Sequence, residues 1–215
     1  MHSGTVARGA AGCIAAIAWL GLIIQCVSTF QGNHSAWLTL WIVFAYFTIL
    51  TNLLVAVVFT ALAVERTPMR APWVVAGMML SILLVGVIYG LLLHGTMELS
   101  GGSAVANVLN HMATPVLVPL FWIIFTPKGE LRWWHPLVWA IYPLAYFAYS
   151  LIRGGQTGQY PYPFLDPSRA GWGQTMVSAV VIAVGFFLCS YALVALDHRL
   201  ARRIAAGRKS SSGSG

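Results

Sequence analysis

Charge is what this sequence has least of. Only 8% of its 215 residues are charged, and just five of these are acidic. A soluble domain of this length carries about 25% charged residues. Five acidic and twelve basic side chains cannot clothe a water-soluble surface of this size. A soluble α/β enzyme, a nucleic-acid-binding domain and a disordered chain are thereby excluded. Charge is also missing from the middle of every apolar run. Glu65, Glu98, Glu130, Asp166 and Asp197 fall at the edges of runs or between them, as do the Lys and Arg residues. A charge at the bilayer centre marks an ion or proton path by default, so its absence counts against a pump or an ion channel. Cysteine is scarce as well. Cys13, Cys26 and Cys189 are odd in number, lie inside apolar runs and fit no metal or disulfide spacing, which makes them small buried apolar side chains in expectation. No cofactor and no metal ion are expected.

What the chain has instead is apolar length. Its mean hydropathy is +0.78, and six runs approach the roughly 20 residues that a helix needs to cross a bilayer. They are about 9–30, 37–64, 73–94, 104–125, 136–153 and 172–196. The expected fold is an all-α integral membrane protein, a six-transmembrane helix bundle. The second run is long enough to tilt or to extend past the hydrocarbon. Pro143 interrupts the fifth run, and Pro115 and Pro119 the fourth, so kinks or local breaks are expected there. Residues 1–8 form an N-terminal segment, and residues 198–215 a tail that is basic and then rich in Ser and Gly.

Lysine and arginine set the orientation. Arg8, Arg66, Arg70, Lys128, Arg132, Arg199, Arg202, Arg203, Arg208 and Lys209 fall at one set of ends, and only Arg153 and Arg169 at the other. Both termini are therefore expected in the cytoplasm. The external segment of about 154–171 is rich in Gly, Pro and aromatic residues and is expected as a non-helical cap at headgroup level.

With charge absent, uncharged polar residues carry the information. Thr48, Thr51 and Asn52 stand at i, i+3 and i+4 in the second run, and so share a helix face. Asn107 and His111 stand at i and i+4 in the fourth, with Asn110 beside them. Thr48 is eleven residues in from Trp37 and His111 seven from Ala104, or about 16 Å and 10 Å of helical rise. At those depths a hydroxyl and an imidazole can meet in the outer half of the bundle. A Thr hydroxyl needs a neighbouring base to take its proton as it attacks, and His is the natural base near neutral pH. Asn107 is placed to fix the ring tautomer or to donate to an oxyanion. The same residues also suit plain helix packing, since Thr and Asn in membrane helices bond across to neighbouring helices. They equally suit a non-catalytic carrier or binding protein for a small neutral or lipidic ligand.

Four segments, in this order, resemble the androgen-induced/androgen-dependent family of multi-pass membrane proteins, its bacterial branch included. They are Tyr46-Phe-Thr-Ile-Leu-Thr-Asn-Leu-Leu-Val-Ala56, Asn107-Val-Leu-Asn-His-Met-Ala-Thr-Pro-Val-Leu-Val-Pro119, Tyr142-Pro-Leu-Ala-Tyr-Phe-Ala-Tyr-Ser-Leu-Ile-Arg-Gly154 and Tyr160-Pro-Tyr-Pro-Phe-Leu-Asp166. The resemblance spans about residues 10–197. It implies a bacterial cell-membrane protein that hydrolyses fatty acid esters of hydroxy fatty acids or similar lipid esters. It puts Thr48 in the place of the nucleophile, with Thr51 as the alternative match, and His111 in the place of the base, with Asn107 one turn before it. Such a substrate carries a free carboxylate. Arg153 is a candidate to hold it, the alternative being an ion pair of Arg153 with Asp166. The expected ligand is a membrane lipid or fatty-acid ester, with no nucleic-acid partner.

Overall fold

The structure, a computed structural model, describes residues 2–65, 71–95 and 99–212, with side chains described from 4 to 207 within these. Arg66, Arg70 and Glu98 lie outside the described residues, as do the side chains of Arg208 and Lys209. Helices are the only regular elements among the described residues. Four are long and apolar enough to cross a membrane, and a bent pair brings the number to five. The chain divides into two compact units, residues 1–125 and 126–215.

In the first unit, α1 (His2–Asn33) is a single helix that already includes most of the segment expected to precede the first span. Asn33 ends it. Its side chain donates to the Thr29 carbonyl and to the Thr39 hydroxyl and accepts from the Ser35 amide, while His34 turns the chain at φ 54°. Ser35 then caps α2 (Ala36–Val43) by accepting from the Leu38 amide.

The second apolar run is not one helix. After Val43 the chain turns by 94° and restarts as α3 (Phe47–Ala63). Phe44 closes α2, and Tyr46 is extended at φ −95°, ψ 129°. The expectation of one long tilted span over 37–64 is thus corrected. So is the depth of Thr48, which is the second residue of a new helix. α3 buries Thr48, Thr51, Asn52, Val55, Phe59 and Leu62, one continuous stripe at helical spacing. It packs on α1, whose buried residues include Ala11, Ala15 and Ala18, small side chains of the kind that let helices approach closely. Arg8 ties the far end, donating to the Ala63 carbonyl and pairing with Glu65 at 3.2 Å.

α4 (Pro72–Ile88) widens into a π-helical turn over Tyr89–Leu93. The fourth run forms α5 (Gly101–Val108), a second π turn over Leu109–Ala113 and α6 (Thr114–Phe125). Two glycines admit this second wide turn. A methyl group on Gly21 would overlap the Asn110 side chain and lie 3.1 Å from the Leu109 Cβ, and one on Gly86 would lie 2.7 Å from the Pro115 Cβ.

The second unit holds α7 (His135–Thr157) and α8 (Pro167–Ser212), the latter broken at Gly171 by φ 77°. Helix therefore runs further into the expected cap at both ends than its composition suggested, and the segment between the two helices is residues 158–166. Helix also continues through the basic part of the expected tail as far as Ser212. Asp166 caps α8, its carboxylate accepting from the Ser168 amide and hydroxyl with Pro167 at the first helical position. At the other end Asp197 accepts from the amides of Gly129 at 2.8 Å and Leu131 at 3.1 Å, pinning the 126–134 loop to α8.

Cys13 and Cys189 are exposed and Cys26 is half-buried, so the expectation of buried cysteines does not hold. In a membrane helix a small apolar side chain loses little by facing lipid, because the hydrocarbon is as apolar as a protein core.

Candidate functional site

The Thr48 hydroxyl lies 3.1 Å from the His111 Nε2. The bend at 44–46 sets Thr48 at the start of α3, and the second π turn sets His111 near the middle of its apolar helix. Thr48 is buried and His111 half-buried. Of the two candidate threonines, Thr48 meets the ring. Thr51, one turn further along α3, is fully buried.

Pro115 explains much of the geometry around His111. It has no N–H to give to the turn before it, and its ring crowds the carbonyls one turn back. The helix widens ahead of it, as helices do where an extra residue must be absorbed. In a π turn the Asn110 carbonyl waits for the amide of residue 115, which proline lacks. Asn52 supplies the missing donor. Its Nδ2 reaches the Asn110 carbonyl at 3.1 Å and the Thr48 carbonyl at 2.9 Å. Its Oδ1 accepts from the Thr114 hydroxyl at 2.7 Å. One buried carboxamide thus ties the backbone that carries the nucleophile candidate to the backbone that carries the base candidate. Asn52, which the spacing places on the same face as Thr48, makes this tie.

Asn107 stands one turn before His111, but its side chain points elsewhere. Its Nδ2 donates to the Tyr89 hydroxyl at 2.6 Å. The Tyr89 ring lies against the imidazole, with centroids 4.6 Å apart and planes 31° apart, and meets His94 edge-on from its other side. The His111 Nδ1 is buried and completes no hydrogen bond. The anticipated contact of the Asn107 carboxamide with the imidazole is therefore replaced by an indirect one through Tyr89. Sequence reasoning notes Tyr89 only as a polar residue towards the outer end of the third run, and gives Thr114 no role. A tyrosine near a helix end resembles an interfacial anchor, and a threonine before a proline resembles a packing residue. The signal available for Tyr89 was its place in the run that precedes the Asn-x-x-x-His helix.

In the second unit Arg153 is buried and donates to the Tyr149 hydroxyl at 2.8 Å. The alternative ion pair of Arg153 with Asp166 does not form. Asp166 pairs with Arg169 at 3.3 Å. The Ser168 hydroxyl, ahead of the backbone amides and Arg169, holds the Asp166 carboxyl below the usual carboxylate range. Among the described residues no cluster of three or more His, Cys, Asp or Glu has metal-binding geometry. Comparison with protein families, with characterised proteins and with solved structures returns no match for this chain.

Proposed function

We propose that this chain is an intramembrane hydrolase of a lipid ester, with Thr48 as nucleophile and His111 as general base. The observation that carries the reading is the 3.1 Å contact between the Thr48 hydroxyl and the His111 Nε2 in an apolar surround. A proton on Nδ1 leaves Nε2 free to accept from Thr48. As the hydroxyl oxygen attacks the ester carbonyl, its proton passes to Nε2 and a tetrahedral oxyanion forms. Collapse expels the alcohol, which takes the proton back from the imidazolium. Water then attacks the acyl-threonine with His111 again as base, releasing the acid and restoring Thr48. Thr48 sits in the first turn of α3, and the positive end of that helix dipole favours the negative charge that develops beside it.

The resemblance to the androgen-induced/androgen-dependent family points to the same pair and to fatty acid esters of hydroxy fatty acids as the substrate class. Arg153 is the candidate to hold the free carboxylate of such a substrate. The reading includes six crossings of a bacterial cell membrane with both termini in the cytoplasm, α7 being the sixth. A fluorophosphonate probe tests the mechanism on the purified protein. Labelling is expected in wild type and Thr51→Ala and is expected to vanish in Thr48→Ala and His111→Ala. Labelling that survives in Thr48→Ala overturns the assignment.

A further inference from the structure

Four arginines at one end of the second unit have no counter-ion. The guanidinium groups of Arg132, Arg199, Arg202 and Arg203 make no ion pair or hydrogen bond with any described residue. Asp197, the buried carboxylate near them in sequence, accepts from the amides of Gly129 and Leu131 through Oδ2, and its Oδ1 is buried without a hydrogen bond, so it pairs with none of the four. The cluster is held in place. Those two bonds fix the 126–134 loop to α8, and His198 bonds the Leu131 carbonyl through Nε2 at 2.7 Å. Gly129, at φ 90°, packs so closely on α8 that a methyl group there would lie 2.9 Å from the Ala201 Cβ.

The aromatic side chains of the same loop fix its depth. Trp133 is half exposed, stacks on Tyr191 with planes 20° apart and meets His198 edge-on at 5.7 Å. Exposed Trp and Tyr on membrane proteins settle at the headgroup level. Arg202 stands one turn beyond His198, and Arg199 and Arg203 stack at i and i+4 on the adjoining face. Arg132 precedes Trp133 in the loop. Aromatic rings at the edge of the hydrocarbon, with unpaired guanidinium groups just beyond them, match an acyl glycerol edge below and a phosphate above.

We propose that Arg132 and Arg202, beside Trp133, form a binding site for the headgroup of an anionic phospholipid in the leaflet at that end. Arginine forks hold phosphate oxygens in a bidentate manner, which a diffuse basic tail does not. The site is independent of the hydrolase reading.

The test uses the full-length protein in a neutral detergent and follows its melting temperature. The additives are dioctanoyl-phosphatidylglycerol, dioctanoyl-phosphatidylcholine and inorganic phosphate. Phosphatidylglycerol is expected to raise the melting temperature in a saturable way, and the other two are not. Each cationic group near an anionic surface is worth about fivefold in affinity. Arg132→Gln combined with Arg202→Gln should therefore weaken the phosphatidylglycerol response roughly thirtyfold, while Arg169→Gln leaves it intact. Added salt should weaken it too. An equal response to phosphatidylcholine, or a response reproduced by inorganic phosphate, overturns the proposal. So does a double variant that responds like wild type. Should the glutamine pair fail to fold, Arg132→Lys with Arg202→Lys keeps the charge and loses the fork. A salt-insensitive response in that variant overturns the proposal, and a weakened, salt-sensitive one supports it.

Discussion

An imidazole serves as a base only while its acceptor nitrogen stays aimed at the hydroxyl it must deprotonate. His111 has one hydrogen bond to hold it, the contact with Thr48 itself. The Tyr89 ring supplies the second restraint by lying across the imidazole face, and the Asn107 bond in turn holds Tyr89. Tyr89→Phe keeps the ring and loses the anchor, so probe labelling should slow by no more than about tenfold, the worth of one net hydrogen bond. Tyr89→Leu also removes a ring contact worth about 0.5–1.5 kcal/mol and should slow labelling further. The rate constant of probe labelling in each variant checks this, and equal rates would mean that Tyr89 restrains nothing. Thr48 and His111 were legible in the sequence because helical spacing and an apolar surround are one-dimensional signals. Tyr89 was not, because its part depends on where a neighbouring helix brings its ring, which no spacing within its own run records.

At the scale of elements, two departures from regular helix set the geometry, and they differ in how visible they are. The break before α3 contains neither Gly nor Pro, since Phe44-Ala-Tyr46 is as apolar as its flanks, and a hydropathy reading runs straight through it. The second π turn is half visible. Pro115 announces a disturbance, but whether the helix kinks or widens is decided by the tertiary donor that satisfies the freed carbonyl. Here that donor is Asn52. Asn52→Ala takes the shorter of two donors from the buried Asn110 carbonyl, which keeps only the Thr114 hydroxyl at 3.4 Å, and takes from that hydroxyl its 2.7 Å acceptor, at a cost of about 0.5–1.5 kcal/mol. Pro115→Ala restores an N–H within reach of the same turn. The double variant should therefore melt above Asn52→Ala alone, a coupling that a double-mutant cycle in detergent measures. Simple additivity of the two changes would show that Asn52 acts through Thr48 and Thr114 and not by mending the turn.

For the whole molecule, everything topological turns on α7. Four long apolar helices and the bent α2–α3 pair are up to five candidate crossings among the described residues, and five would put the two termini on opposite sides. α7 is not among these candidates, and its buried face carries Ser150, Arg153 and His135. Its exposed face is another matter. Leu137, Ile141, Leu144 and Ile152 are all exposed, an apolar stripe that water would penalise and lipid would not. With 23 residues, α7 rises about 34 Å, enough for a core of roughly 30 Å. A helix judged on mean hydropathy can thus fail as a span while an apolar stripe on its surface suits lipid, since Ser150, Arg153 and His135 are buried and the exposed Gln156 and Thr157 lie at its end. If α7 crosses, the ends of the chain share a side. In a variant with its three native cysteines replaced, Ser3→Cys and Ser211→Cys should then be labelled by a membrane-impermeant maleimide from the same face of sealed vesicles. Gln159→Cys, in the segment between α7 and α8, should be labelled from the opposite face. Termini labelled from opposite faces would leave α7 out of the membrane and remove the sixth crossing on which the proposed orientation depends.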